Sequence, residues 1–323
     1  MFLNTMVRLI QKDLEMLEEE LLRAVVSPVD RITEIGTHLV KAGGKRLRPA
    51  LYLLAARSGR EFSMERAMPL AVAIELIHMA SLVHDDVLDH ADLRRGKETA
   101  NARWGNQQAI LSGDYLFARA FSLVAGAGYG DRISMILSNL IMDLSVGEII
   151  QNMELYKVET IEAYDERIAK KTANFLADCC EMGGIVAGHD EETLCGLRTY
   201  GKKIGMAFQL TDDLLDVLGD AKDIGKPAGH DIAEGIITLP FLRALETSAE
   251  RDELRAVITN PNLSAEDVER ALAIVRAGDG ADYTRKRVHA LLEEAKAALP
   301  KALPKDIVKT YCEAADHIAK RNK

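Results

Sequence analysis

Two acidic motifs of the same form stand far apart in the chain, and both could bind a divalent cation. The first is Asp85-Asp86-Val87-Leu88-Asp89 and the second is Asp212-Asp213-Leu214-Leu215-Asp216. In a helix, residues four apart share a face, so the outer aspartates of each motif repel one another. Solvated acidic helix ends would look similar, but two copies that each follow an apolar run favour a cation site. Mg2+ takes carboxylate oxygens and is usually completed by substrate phosphates, so the motifs predict a magnesium site for a phosphorylated substrate.

A basic segment, Gly43-Gly44-Lys45-Arg46-Leu47-Arg48-Pro49, could bind a diphosphate. Its glycines allow a close backbone approach, and Lys45 and Arg48 supply a point charge and a bidentate fork. Arg94-Arg95-Gly96 follows the first acidic motif on an expected loop, and Lys171-Thr172 precedes a small, apolar stretch. A solvated basic helix junction would look the same, so these residues gain meaning only beside the acidic motifs.

The segments that carry these residues read as helices. Ala67 to Asp89 is apolar almost all round, with His78 as its midway polar group, and Leu197 to Leu218 repeats that design with Gln209. Ile161 to Met182 is a third expected helix. Because no alternation of Val, Ile and Thr reaches a convincing length, the sequence predicts an all-α chain that forms one domain over its 323 residues.

Composition and charge exclude several classes of protein. A net charge of −9 argues against a general nucleic-acid binder, which would show a basic face. No uninterrupted apolar stretch approaches the length of a bilayer span, and the acidic, amphipathic segment from Met1 to Val26 is unlike a signal peptide. The four cysteines lack metal-ligand spacing and indicate reduced thiols, so a cytoplasmic protein is expected.

Over roughly positions 35 to 245, the chain resembles the trans-isoprenyl (polyprenyl) diphosphate synthases, long-chain branch. The shared motifs, in order, are the basic segment at 43–49, the first acidic motif with Arg94-Arg95-Gly96, Lys171-Thr172, Phe208-Gln209 with the second acidic motif, and Gly225-Lys226. The resemblance implies a single-domain antiparallel helical bundle around a central cavity, with the acidic motifs facing each other, and a homodimer. It implies a prenyltransferase that joins isopentenyl diphosphate head-to-tail to an allylic diphosphate, either farnesyl or geranylgeranyl diphosphate.

The resemblance also implies roles for individual residues. Three Mg2+ ions per active site are expected on Asp85, Asp89 and Asp212, with Asp86, Asp213 and Asp216 contributing around them. The allylic diphosphate is expected to contact Arg94, Lys171, Gln209 and Lys226, and isopentenyl diphosphate to contact Lys45, Arg48, His78 and Arg95. Thr172 and Gln209 would offer neutral dipoles near the allylic cation, and the departing pyrophosphate would take the proton. Many members carry a lysine where this chain has Ile236.

Product length in this family depends on side chains just before the first acidic motif. The fourth and fifth positions before it are Ser81 and Ala80, both small, and the wall continues with Ile77. Each helical turn of the cavity wall that carries only small side chains adds about 5.4 Å to the depth of the cavity, close to the length of one isoprene unit. The sequence predicts a product of about six to nine units (C30–C45), with octaprenyl diphosphate as the central expectation, for ubiquinone or menaquinone side chains. Small residues could instead mean only close helix packing.

Several alternatives stay open at this stage. The product could be shorter, as in a geranylgeranyl or farnesyl diphosphate synthase in which a large side chain elsewhere in the cavity stops the growth of the product. The chain could be the catalytic subunit of a two-protein heptaprenyl diphosphate synthase. A class I terpene cyclase and a non-catalytic regulatory subunit fit less well, because both acidic motifs and the basic segment are intact. Peripheral contact with a membrane during product release also stays open.

Overall fold

A computed structural model describes residues 4–219 and 228–320, and most of them lie in helices, which confirms the prediction of an all-α fold. The first helices are α1 (Asn4–Ala24), α2 (Asp30–Ala42), α3 (Leu47–Ala56), α4 (Met64–Leu88), α5 (Ala100–Trp104), α6 (Asn106–Ala127) and α7 (Asp131–Met153). After them come α8 (Ile161–Ile168), a π-helical turn (Ala169–Ala173), α9 (Asn174–Val186), α10 (Glu191–Leu218), α11 (His230–Ala233), α12 (Leu239–Thr247), α13 (Arg251–Ile258), α14 (Ala265–Ala277), α15 (Gly280–Ala298) and α16 (Lys305–Lys320).

A hairpin of two short antiparallel strands, β1 (Leu93–Arg94) and β2 (Lys97–Glu98), lies between α4 and α5. The loop that the sequence predicts for Arg94-Arg95-Gly96 is wrong for Arg94, which lies in β1, and confirmed for Arg95 and Gly96, which form the turn. Strands of two residues are too short to show an alternation pattern. The hairpin matters because its strand and turn carry two of the arginines expected to bind substrate.

The chain divides into two compact units. The first comprises Met1–Ile141, Asp178–Arg198 and Pro300–Tyr311, and the second comprises Met142–Ala177, Thr199–Leu299 and Cys312–Lys323. The first acidic motif and the basic segment belong to the first unit, and the second acidic motif and Lys171 belong to the second. The single domain, and the acidic motifs facing each other, stay predictions.

Helix α4 is the buried centre of the first unit and packs against α6. The hydroxyl of Ser63 caps its N-terminus, and nearly all of its middle is buried because the helix is apolar on every side. Pro69 lies inside the helix and disturbs its backbone hydrogen bonding. The Tyr129 hydroxyl accepts the Leu70 N–H (3.3 Å) and donates to the Arg66 carbonyl, so it bridges the turn next to the proline.

Helices α4 and α7 are long and apolar enough to cross a membrane, judged by length and composition alone. Polar residues interrupt both helices, so neither contains an uninterrupted apolar stretch of that length, although the mean hydropathy of each stays high. Most of α4 is buried inside the protein, which accounts for its composition. Only 22% of the apolar window of α7 is buried, so this helix presents apolar side chains at the surface.

Candidate active site

The first acidic motif lies at the C-terminal end of α4. The helix ends at Leu88, and the Asp89 N–H still bonds to the Asp85 carbonyl at 2.8 Å, so the two aspartates remain one turn apart. A helix C-terminus carries partial negative charge, which makes this an unfavourable place for carboxylates unless a cation offsets them. Asp86 is buried, and burial raises its pKa more than the neighbouring Arg94 lowers it. Asp85 is half-buried and Asp89 is exposed.

The hairpin delivers one arginine to the acidic motif and the next to the basic segment. Arg94 on β1 donates from Nε to Asp86 Oδ1 at 2.6 Å. Arg95 and Gly96 form a two-residue turn in which both φ angles are positive, at 54° and 74°, as a type I′ hairpin requires. The Arg95 guanidinium donates to the Gly43 carbonyl. A side chain at Gly44 would collide with it, since a Cβ there would lie 2.7 Å from Arg95 Nη1.

The basic segment connects α2 to α3 and brings Arg48 against α4. Arg48 Nη1 lies 3.2 Å from His78 Nε2. Burial, followed by the charge of Arg48, holds the pKa of His78 well below its usual value, so the imidazole is neutral and accepts the arginine's hydrogen bond. Lys45 is exposed. Within the first unit, a pocket is lined by His78, Arg94 and Arg95 among other residues. It therefore contains two of the four residues expected to bind isopentenyl diphosphate, and a third, Arg48, contacts His78.

Arg46 is a residue whose importance the sequence did not reveal. It adopts a left-handed conformation (φ 48°) and its side chain is buried. The guanidinium pairs with Glu18 of α1 and Glu75 of α4, each at 2.6 Å, and thereby fixes the basic segment to both helices. His78 is therefore not the only polar group in the middle of α4. A glutamate inside an otherwise apolar helix was the available signal, because such a group needs a buried cation.

The second acidic motif lies near the end of α10, in the second unit. Asp212 is half-buried. Asp213 is buried and accepts hydrogen bonds from the Tyr164 hydroxyl and, at 2.9 Å, from Gln209 Nε2. Burial raises its pKa to about 6 in spite of these donors. Asp216 accepts the backbone N–H groups of His230 (3.1 Å) and Asp231 (3.2 Å), so its carboxylate caps α11.

Lys171 and Thr172 lie in a π-helical turn, so the predicted continuous helix from 161 to 182 is wrong at this point. A π turn inserts one residue and rotates the side chains beyond it, and such turns are frequent at functional sites. Lys171 Nζ pairs with Glu148 Oε2 at 2.7 Å. The Thr172 hydroxyl donates to Gln209 Oε1 at 3.0 Å. The second unit therefore joins Thr172, Gln209 and Asp213 in one hydrogen-bonded chain.

Glycines of α10 allow this chain to form. Gly201, Gly205, Gln209 and Asp213 follow one another at intervals of four, so each lies one helical turn from the next and close to it on the helix surface. A Cβ at Gly205 would lie 2.5 Å from Ala173 Cα, and one at Gly201 would lie 2.4 Å from the Leu176 carbonyl oxygen. Only glycine permits this approach, which brings Gln209 within reach of the π turn.

Comparison with known proteins identifies the family. A family model described as Polyprenyl synthetase matches residues 29–275. The chain belongs to the polyprenyl synthetase family. It is 41% identical over 300 residues to heptaprenyl diphosphate synthase component 2 of Geobacillus stearothermophilus (90% of this chain, 92% of the relative). It is 36% identical over 303 residues to octaprenyl diphosphate synthase of Escherichia coli K12 (93% of each).

Solved structures of polyprenyl synthases share the fold. A polyprenyl synthase from Caulobacter crescentus CB15, described as complexed with calcium and isoprenyl diphosphate, superposes with a TM-score of 0.91 at 35% identity, over 99% of this chain and 98% of that one. The predicted isoprenoid synthase fold and the resemblance to the long-chain synthases are therefore confirmed. The protein is a prenyltransferase of the polyprenyl diphosphate synthase type.

The donor set of this polyprenyl synthase fits Mg2+. The predicted ligands supply only carboxylate oxygens, the donors that a hard cation prefers. Within residues 4–219 and 228–320, no three His, Cys, Asp or Glu side chains converge into a group that could hold a metal alone.

The residues expected to set product length, and the two remaining positions discussed for the allylic diphosphate, differ in burial and contacts. Ile77 and Ala80 are fully buried in α4, and Ser81 is partly buried with its hydroxyl donating to the His78 carbonyl at 2.9 Å. Ile236 is partly buried, and its N–H bonds to the Asp231 carbonyl at 2.8 Å. Lys226 lies outside the described residues.

Proposed function

We propose that this polyprenyl synthase uses Mg2+ to condense isopentenyl diphosphate with farnesyl or geranylgeranyl diphosphate. The observation that supports the proposal most directly is that the two adjacent arginines of the hairpin bind different segments. Arg94 bonds to the first acidic motif, while the adjacent Arg95 bonds to the basic segment beside His78 and Arg48. One rigid turn thus couples an acidic, metal-type site to a basic, diphosphate-type site, which suits an enzyme that joins two diphosphate substrates.

The proposed reaction requires charge neutralisation at the leaving group. Asp85, Asp89 and Asp212 would hold the Mg2+ ions, and the bound ions would neutralise pyrophosphate as the allylic carbon–oxygen bond breaks. Arg94, Lys171 and Gln209 would contact the allylic diphosphate, with Lys226 as a further expected contact. Lys45, Arg48, His78 and Arg95 would hold isopentenyl diphosphate with its double bond towards the cation. Neutral His78 fits that role, because it orients Arg48 without adding charge.

We further propose a long product, with octaprenyl diphosphate as the central expectation, for quinone side chains. Support comes from the small residues Ala80 and Ser81 before the first motif, and from relatives named as heptaprenyl and octaprenyl diphosphate synthases. The direct experiment incubates the purified protein with farnesyl diphosphate, labelled isopentenyl diphosphate and Mg2+, then separates the dephosphorylated products. A ladder ending at about six to nine units supports the proposal, and a stop at three or four units contradicts the long product.

The same experiment addresses a second candidate function. The similarity to heptaprenyl diphosphate synthase component 2 favours a catalytic subunit that needs a partner protein. A folded protein that incorporates no isopentenyl diphosphate alone, but does so in an extract from its own source organism, would establish that alternative. Incorporation by the purified chain would exclude it.

We also propose a homodimer that works in the cytoplasm. Met142, Val146, Ile149 and Met153 are exposed large apolar side chains on α7, spaced so that they form one stripe. Such a stripe favours burial against a second copy. The molar mass from light scattering tests the dimer, with a mass of twice 35.5 kDa expected. A monomer that binds lipid vesicles would instead assign the stripe to peripheral membrane contact.

A further inference from the structure

Tyr164 is a buried residue that no sequence motif singled out, yet it ends the hydrogen-bonded chain beside the second acidic motif. Its side chain is fully buried in α8, and its hydroxyl donates to Asp213 Oδ2. The other carboxylate oxygen, Asp213 Oδ1, accepts Gln209 Nε2 at 2.9 Å. Gln209 Oε1 then accepts the Thr172 hydroxyl at 3.0 Å. Four side chains from α8, the π turn and α10 therefore form one relay.

The direction of every hydrogen bond in the relay follows from the carboxylate. An ionised carboxylate only accepts, so Gln209 must turn its NH2 group towards Asp213 and its carbonyl oxygen towards Thr172. The Thr172 hydroxyl has one proton, and it donates this proton in its hydrogen bond to Gln209 Oε1. The Thr172 oxygen can therefore direct its lone pairs, and not its proton, towards a neighbouring group. Reversal of the Gln209 amide would make Thr172 an acceptor and turn its proton outwards.

The proposal rests on the prenyl transfer described above, in which an allylic carbon becomes positively charged. We propose that Tyr164 is a positioning residue that holds Asp213, and through it Gln209, so that Thr172 presents lone pairs to the developing cation. Lone pairs stabilise a positive centre, whereas an outward hydroxyl proton would oppose it. Tyr164 acts entirely through Asp213 and needs no contact with substrate.

The neighbouring guanidinium of Arg167 cannot replace the Tyr164 hydroxyl as a donor to Asp213. Arg167 lies over the Tyr164 ring, 5.3 Å from its centroid. Its guanidinium already pairs with Glu159 at 2.5 Å and donates to the Ile237 carbonyl at 3.2 Å. Loss of the tyrosine hydroxyl would leave Asp213 Oδ2 buried without that donor, which is costly and allows the carboxylate and the Gln209 amide to rearrange.

A double-mutant cycle tests the relay, since Asp213 and Gln209 link the Tyr164 hydroxyl to the Thr172 hydroxyl. We expect Tyr164→Phe and Thr172→Val each to lower kcat about tenfold, with the KM for isopentenyl diphosphate changed less than about twofold. The double variant should be no slower than Thr172→Val alone, because a relay without its last member has nothing to orient. On a Thr172→Ser background, which keeps the hydroxyl, Tyr164→Phe should again cost about tenfold.

Tyr311→Phe is the matched control. Its hydroxyl is also fully buried, but it donates to the Leu51 carbonyl at 3.1 Å in the first unit. This variant should lose stability and keep its kcat. If Tyr164→Phe fails to fold, Gln209→Leu cuts the same relay. The part of its loss that disappears on the Thr172→Val background reports the relay, and the part that remains reports the proposed contact of Gln209 with the allylic diphosphate.

The outcomes separate the relay from the proposed function. Additive losses in the cycle, or a rise in KM with unchanged kcat, would overturn the relay while prenyl transfer stands. A folded wild-type protein that is inactive both alone and in the extract from its source organism would overturn the proposed prenyl transfer itself, and the relay with it.

Discussion

Replacement of Gly205 by alanine should push α10 away from the π turn. A Cβ at this position would lie 2.5 Å from Ala173 Cα, 2.9 Å from Ala173 Cβ and 3.2 Å from its carbonyl oxygen. Ordinary carbon–carbon contacts begin near 3.5 Å, so the two backbones must separate by roughly 1 Å. All three contacts are with Ala173, which lies in the π turn and cannot move aside as a flexible side chain would.

The magnitude follows from two opposing effects. Overpacking of this kind costs about 1–3 kcal/mol, and alanine regains up to about 1 kcal/mol through its higher helix propensity. We expect a net loss of about 1–2 kcal/mol. A separation of roughly 1 Å would also stretch the Thr172–Gln209 hydrogen bond from 3.0 Å to about 4 Å, which is beyond bonding distance. The kcat should therefore fall by about tenfold as well.

Denaturant unfolding followed by circular dichroism measures the first effect, and initial rates of isopentenyl diphosphate incorporation measure the second. Gly126→Ala is the matched control, since Gly126 lies near the end of α6 with no neighbouring atom within 4 Å of an added Cβ. That variant should be at least as stable as wild type and fully active. If Gly205→Ala behaves like Gly126→Ala, the close approach of α10 to the π turn does not exist in solution.

Three further predictions follow from the first unit. Ser81→Phe should shorten the product ladder by one or more units without loss of isopentenyl diphosphate incorporation; an unchanged ladder would show that the growing chain does not pass this residue. Asp85→Asn should raise the Mg2+ concentration needed for half-maximal activity by about tenfold or more, and an unchanged Mg2+ requirement would exclude it as a ligand. Burial and Arg48 lower the pKa of His78, so the unfolded chain binds a proton there that the folded chain does not, and stability should decline as the pH falls below about 6.5. His78→Gln should flatten that decline in denaturant midpoints, and an equal decline in both proteins would contradict a neutral buried imidazole.

The features that the sequence predicted correctly are local. The apolar runs before Asp85 and Asp212 specify long helices, and a spacing of four fixes which aspartates share a face. The hairpin was missed because its strands have two residues each, and because Arg95 is not one of the residues that usually precede glycine in such a turn. The π turn has no comparable signature in composition, since Lys170, Lys171 and Thr172 fit an ordinary helix equally well.

The partners of buried polar groups were missed for a different reason. Glu75 forms an ion pair with Arg46, and Asp213 accepts a hydrogen bond from Tyr164; in each pair the two residues are far apart in the chain. Desolvation requires that some partner exist, but it does not say which one, because that choice depends on how the helices pack. The four-residue spacing of Gly201, Gly205, Gln209 and Asp213 was visible in the sequence and could have indicated a close contact on that face.

The two acidic motifs use their consecutive aspartates in the same way. Adjacent residues in a helix point about 100° apart, so Asp85 and Asp86 cannot serve the same site equally, nor can Asp212 and Asp213. In each motif the second aspartate is buried and held by protein donors, Arg94 for Asp86, and Tyr164 and Gln209 for Asp213. The first aspartate is half-buried in both. A buried and hydrogen-bonded second aspartate fixes the rotation of the helix end about its axis, and with it the direction of the first aspartate. If the first aspartates bind Mg2+ as proposed, each motif needs two consecutive aspartates because one positions the helix end and the other would bind the cation.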